Sequence, residues 1–477
     1  MNGSASNTRL RLKPLSACLA LALCVSTSTT ALAAAQPAHA APGAGFAARH
    51  TVQRTGAGFL RMQQERLERG WLQARAVAKR PATTLPVTSC ADDGSGGTLR
   101  EVVAGAVDGD TVDLSALTCS TISLAQGGIA INVDNLSMVG PGADKLTIDG
   151  GGMDTVLNFY GGSGGGGTLQ ISGLTVANGF YEDFGGGGIW TGQGGSVELT
   201  NSVVTNSTST GMYASGGGIF AAGNVTLVNS TVSNNTASSS KYDGIGGGVY
   251  AKGDLTVVNS TISGNTAKAD GSYVGYYGYT YDGYGLGGGA AAVGTTRISN
   301  STISGNAAAI GGGVFAMSLE SLQNSTVTLN QALPENSSVG FGEGGGIAVN
   351  GNAGPGTLDS NILFGNSGGG GYYGADLGGL TTVVGSNNLI GSSTSPVPAD
   401  TLSADPLLLP LANNGGPTMT HALGAASPAI DSGSNPGNLT TDQRGGAFAR
   451  VSGSAADIGA FEVQQVDAIF VDGFEQR

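Results

Sequence analysis

Along the middle of the chain, apolar and polar residues alternate with period two in short runs that keep returning. Val197 and Leu199, Val225 and Leu227, and Leu255 and Val257 hold matching places, with Glu198, Thr226 and Thr256 between them. Such alternation predicts strands with one face turned inward and one outward. β-branched Val, Ile and Thr dominate the runs, and no unit carries the ten or more residues at 3.6 spacing that a helix requires. Each run belongs to a longer unit. A glycine triplet opens it, at Gly186, Gly216, Gly246, Gly287, Gly311 and Gly344, and a phrase N-S-x with Val or Ile follows, at Asn201, Asn229, Asn259, Asn300 and Asn324. Self-similar units of this size predict a solenoid, in which each turn buries its apolar face only against its neighbours.

Units that follow one another in the same direction pair as parallel strands, so like residues lie on like about 4.8 Å apart. Asn229, Asn259, Asn300 and Asn324 then predict a column whose side-chain amides bond up and down the stack, and Asn235, Asn265, Asn306 and Asn330 a second one. The glycine triplets fit corners with positive φ or places where backbones come close.

These phrases, GGG with Ile or Val and then an aromatic residue, followed by I-S-G-N, resemble the repeats of polymorphic outer membrane proteins and, more broadly, right-handed parallel β-helix proteins. The resemblance covers roughly residues 145 to 370. It implies an all-β fold, a right-handed parallel β-helix, over residues 89–400. The opening S-C-A-D-D-G-S-G-G-T-L-R-E-V-V, with M-V-G-P-G-A-D-K-L-T-I-D-G after it, is similar to the first coils of secreted β-helix proteins. Arg100 to Ala106 would form a short helix over the open end, where unpaired strand edges need a cap. Residues 401–465 break the period. Their D-P-L-L, N-G-G-P-T, H-A-L, S-P-A-I-D, D-Q-R-G and D-I-G-A-F-E, in that order, resemble the choice-of-anchor Q domain of exported bacterial repeat proteins. That resemblance implies a surface or extracellular protein and no particular chemistry. Arg444 and Arg450 among Asp431, Asp442 and Asp457 suggest ion-paired turns closing the second end, with His421 as a hydrogen-bonded turn residue.

Composition narrows the partners. Of 477 residues 85 are Gly, and 11% are charged, against about 25% in an average globular protein. The net charge is −13, and from Cys90 onward there are nine basic and 31 acidic residues. So acidic a body repels phosphate, which argues against nucleic acid as a partner. Residues 1–40 read as a secretory signal: Arg9, Arg11 and Lys13 precede an apolar run from Leu15 to Val25, with small-residue sites at Ala31-Leu32-Ala33 and Ala38-His39-Ala40. Residues 41–88 form a basic spacer in which Phe59, Leu60, Leu67, Trp71 and Leu72 suggest a short helix. No later segment has 18 consecutive apolar residues, so no transmembrane helix is expected once the signal is gone. Residues 466–477 are an aromatic-acidic tail. With Cys18 and Cys24 inside the signal, Cys90 and Cys119 remain, and an even pair in an exported protein is most simply a disulfide. The chain is expected to act as a monomer.

Candidate chemistry is sparse. A polysaccharide lyase on this fold needs an Arg or Lys beside two or more carboxylates on a lateral face, and a hydrolase needs a carboxylate pair. Adjacent units show no such pair in one register: Asp254 aligns with Asn224 and Thr295, and Arg297 with Thr226, Thr256 and Ser321. Arg297 reads as a lone solvated charge and Lys252 as an odd residue where other units place Ala222 or Met317. No catalytic residue is assigned, and no cofactor. A different theme recurs before the triplets, an aromatic residue beside an acid: Tyr181 with Asp183, Tyr242 with Asp243, Tyr279 and Tyr281 with Asp282, and Tyr213 alone. Stacking predicts that these line one edge. Rings pack against sugars, and acids accept hydroxyls or hold Ca²⁺. The chain thus reads as a scaffold or adhesin-like module for glycans or surface components, with a lyase or hydrolase as the alternative.

Overall fold

The computed structural model describes residues 81–162, 166–183, 185–274, 280–334, 344–350, 355–368 and 375–465. The expected signal, most of the basic spacer, and the tail lie outside these residues. The coils wind into three parallel sheets of eighteen, ten and six strands. One lap shows the plan. Val225–Val228 lies in the broad sheet, Thr231–Ser233 in the ten-stranded sheet and Thr236–Ser239 in the six-stranded one, and Val249–Ala251 returns to the broad sheet. The next lap repeats it in register: Val225 on Leu255, Leu227 on Val257, Val232 on Ile262, Ala237 on Ala267. These eight side chains are all fully buried, as period two predicts. Each Val, Leu or Ile so enclosed contributes roughly 1.5–3 kcal/mol.

Both polar columns exist, and only one is a ladder. Asn235 Nδ2 donates to Asn265 Oδ1, Asn265 to Asn306, Asn306 to Asn330, and Asn330 to Asn366, at 2.8–3.0 Å, and Asn366 donates to Asp376. The column at Asn229, Asn259, Asn300 and Asn324 stands in file at a corner, with φ between 45° and 50°. There the expected chain of amide bonds is corrected: one link forms, Asn300 Nδ2 to Asn259 Oδ1. Asn300 also donates to the Thr441 carbonyl, and Asn324 donates to the Ser434 carbonyl, so the C-terminal segment takes up amide hydrogens at this left-handed corner.

Glycine triplets meet both requirements foreseen for them. The first glycine of five triplets has φ between 61° and 66°. At the second, Gly217, a Cβ would overlap the carbonyls of Gly247 and Thr236.

The two ends differ. Strand Thr84–Pro86 and helix α1 (Leu99–Ala104) close the first, with Leu99 and Val103 buried. The Cys90–Cys119 disulfide is present, and Arg100 pairs with Asp92 at 2.7 Å. At the second end Leu402 bridges to Leu389, and the prolines before it, Pro396 and Pro398, carry no N–H to offer a further strand. The C-terminal segment then does more than close this end. It doubles back along the outer face of the ten-stranded sheet, from Thr261 to Leu389. Thr302 Oγ1 donates to Gln443 Oε1 at 2.6 Å, Gln443 Nε2 donates to Thr261 Oγ1 at 2.9 Å, and the amide of Ala460 donates to Thr326 Oγ1 at 3.1 Å. Farther along, Ile362 and Leu389 pack with Leu423, Ala429 and Ile458. Inside the segment Arg444 pairs with Asp442, but the partner of Arg450 is Glu462, and Asp431 accepts the amides of Ser454 and Ala455.

Candidate ligand-binding edge

The loops that lead from the six-stranded sheet to the glycine triplets form the edge on which the aromatic-acid residues fall. Tyr213 and Tyr242, one lap apart, stack with ring centroids 4.1 Å apart and planes 14° from parallel. Lys241 Nζ lies 5.3 Å from the Tyr242 centroid. Both rings are half-buried, and Met212 beside them is exposed. Lys268, on the next lap in register with Ser238, pairs with Asp270 at 3.3 Å in the open. Of these two basic side chains, Lys241 lies against the ring pair and Lys268 is paired with Asp270.

The acids have another task. Asp183 sits at a corner with φ 63°, and its Oδ1 accepts the Met212 amide one lap on, at 2.8 Å. Asp243 is buried and accepts the Tyr284 amide at 2.9 Å. Both tie one lap to the next through the backbone. Tyr181 lies within strand Phe180–Glu182, in register with Ser209 of the six-stranded sheet. Asp282 pairs with Ser272, and the backbone of Tyr281 with Tyr273, in an antiparallel hairpin (Ser272–Val274 with Thr280–Asp282) made by the insertion. Tyr279 lies outside the described residues. Among the described residues no three His, Cys, Asp or Glu side chains converge as metal ligands would. The expected ridge of rings and carboxylates is thus a pair of rings with an ammonium group.

A second cluster lies on the outer face of the broad sheet. Arg297 aligns with Thr256 and Ser321 as expected, but it is not a lone charge. Its guanidinium meets Asp254 at 3.5 Å and Glu320 more closely still. Pairing to Glu320 raises the Arg297 pKa further above its ordinary value. The register shift between Thr296 and Arg297 leaves Glu320 as the extra residue of a bulge, which brings it beside the arginine. Strict alternation assigns that place to Ser321, so the sequence hides the pair. Lys252 faces the Phe220 ring at 5.9 Å, and surrounding protein holds its ammonium below the usual lysine pKa although the residue is exposed. Also unforeseen is a column formed by the aromatic residue that follows each of the first three triplets. Trp190, Phe220 and Tyr250 follow one another lap by lap and are 0–8% exposed, so they serve as packing rather than as an open platform.

Residues 158–337 match the family model for a right handed beta helix region. No curated protein matches the sequence. Among solved structures the chain is similar to the crystal structure of pectate lyase Pel9A, with 15% identity and a TM-score of 0.38 over 81% of this chain and 97% of that one. The chain is a right-handed parallel β-helix.

Proposed function

We propose that this is an exported β-helix scaffold of a bacterial surface or its surroundings, which binds carbohydrate at the Tyr213–Tyr242 edge. The observation that carries the reading is the stacked ring pair with Lys241 against it. Rings presented in this way pack on the apolar faces of sugars, and a nearby ammonium donates to hydroxyls or carboxylates. Export is supported by the charged and apolar pattern of residues 1–40 and by the disulfide, a bond that persists in oxidising compartments.

Among the described residues the enzyme reading has one specific place to act, Arg297 with Asp254 and Glu320. A lyase would need the arginine to give up its proton, and its partners hold that proton more firmly. Binding is therefore the better reading. With Tyr213 and Tyr242 both changed to Ala, retention on a glycan array is expected to fall by about 30-fold, from roughly 1 kcal/mol for each ring. Unchanged retention would remove the proposal. Unsaturated or reducing ends released from uronate polysaccharides, and lost in Arg297→Ala, would replace it with the lyase.

A further inference from the structure

We propose that the C-terminal segment is a pH-sensitive clasp, in which a neutral His421 holds the segment against the hydroxyl-lined flank and protonation of the ring loosens it. His421 stands on strand Thr420–Leu423 and is 1% exposed. Its Nδ1 lies 2.7 Å from the Leu409 carbonyl, and its Nε2 lies 2.8 Å from Ser304 Oγ on the coil. A carbonyl can only accept, so Nδ1 carries the hydrogen. In the neutral ring Nε2 is then an acceptor, and Ser304 donates to it. The side chain thus bridges the segment's own hairpin and the flank.

A proton on Nε2 reverses that bond, so that the ring donates to Ser304 Oγ, and places a charge in a dry contact. Among the described residues no carboxylate acts on the ring. The coil strands beneath, Thr302–Ser304 and Thr326–Thr328, offer hydroxyls, and strand Leu408–Ala412 has no ionisable side chain. The turn that reaches the same strip through Gln443 carries Asp442 and Arg444, which are paired to each other at 2.6 Å. Burial pushes the His421 pKa below its ordinary value, in keeping with this geometry. The sign follows. A histidine with a depressed docked pKa stabilises the docked state above its free pKa, and that stabilisation is lost as pH falls toward the docked pKa. With a free value near 6.5, the docking constant falls by up to about 30-fold at pH 5.

Glu462 works in the opposite sense and elsewhere. Burial raises it to about 7. The stability it lends is therefore present at low pH and lost as pH rises from the free value toward 7. Its hydrogen bonds, to Arg450 and to the amides of Ser452 and Asp457, all lie within the segment. None of these bonds reaches the coil.

The amides of Gly459 and Ala460 donate across the contact, to the Ser360 carbonyl and Thr326 Oγ1, and so report docking directly. Their hydrogen-exchange protection, taken relative to coil strand Val225–Val228 in the full chain, is expected to fall between pH 7.5 and pH 5.0, by up to about 30-fold. In His421→Gln the fall is expected to stay below about twofold. Equal protection at both pH values, or the same fall in the variant, overturns the proposal. Should His421→Gln fail to dock at either pH, the ring titration of the unaltered chain by NMR decides: a His421 pKa at or above the free value overturns the clasp, and one below it supports the clasp.

Discussion

Asn306→Leu is expected to destabilise the coil stack by about 3–5 kcal/mol, read as a lowered urea midpoint. Asn306 is fully buried and stands inside the amide ladder. Its Oδ1 accepts both the backbone and the side-chain amide of Asn265, and its Nδ2 donates to the Ile262 carbonyl and to Asn330 Oδ1. Leucine fills the space but leaves donors and acceptors on the two flanking laps short of a bond, and each buried unsatisfied group costs about 1–3 kcal/mol. The companion Asn306→Asp has nearly the same shape, yet it sets an oxygen against Asn330 Oδ1 and the Ile262 carbonyl, where the amide nitrogen made bonds of 2.8 and 3.0 Å. Its carboxyl pKa must rise in the fold, so the lost stability should be partly regained as pH falls and the acid becomes a donor. If Asn306→Leu melts like the unaltered chain, the ladder is not a stabilising element.

Gly217→Ala is expected to cost at least about 3 kcal/mol, a large effect for a single methyl group. The new Cβ would overlap backbone, the carbonyls of Gly247 and Thr236, so no side-chain rotation relieves it. The contrast is Gly305→Ala. Gly305 has φ 65° but nothing within 4 Å of where its Cβ would be, so its substitution pays for backbone conformation alone, about 1–2 kcal/mol. Thermal melts of the two variants separate close approach from dihedral preference as the reason for the triplets. Equal losses would mean that the approach of successive laps has been overstated.

The period and the register were legible because a solenoid converts sequence spacing into spatial contact: Val225 finds Leu255 for the same reason that their phrases match. Where contacts depend on something other than the repeat, the sequence misleads. Asn229 and Asn235 look alike in the chain, but Asn229 sits at a left-handed corner while Asn235 opens the amide ladder. Glu320 is invisible to an alternating pattern because the bulge that exposes it breaks the alternation. The acids beside the tyrosines look like ligands in the sequence because turn acids and binding acids are the same residues. Only the cross-lap bonds of Asp183 and Asp243 tell the two apart. The path of the C-terminal segment could not be inferred from period at all, since it rests on contacts such as Gln443 with Ser260, 183 residues apart.

Direct stacking of successive laps underlies every one of these arguments. Nitroxide pairs on the outer face of the broad sheet measure it, since Gln170, Glu198, Thr226, Thr256, Arg297, Ser321 and Thr357 follow one another in register. With one label at Gln170, second labels at Thr256, Ser321 and Thr357 should give backbone separations of about 14, 24 and 29 Å, one step of 4.8 Å per lap. Distances with no constant step of about 4.8 Å per lap would contradict the coil stack.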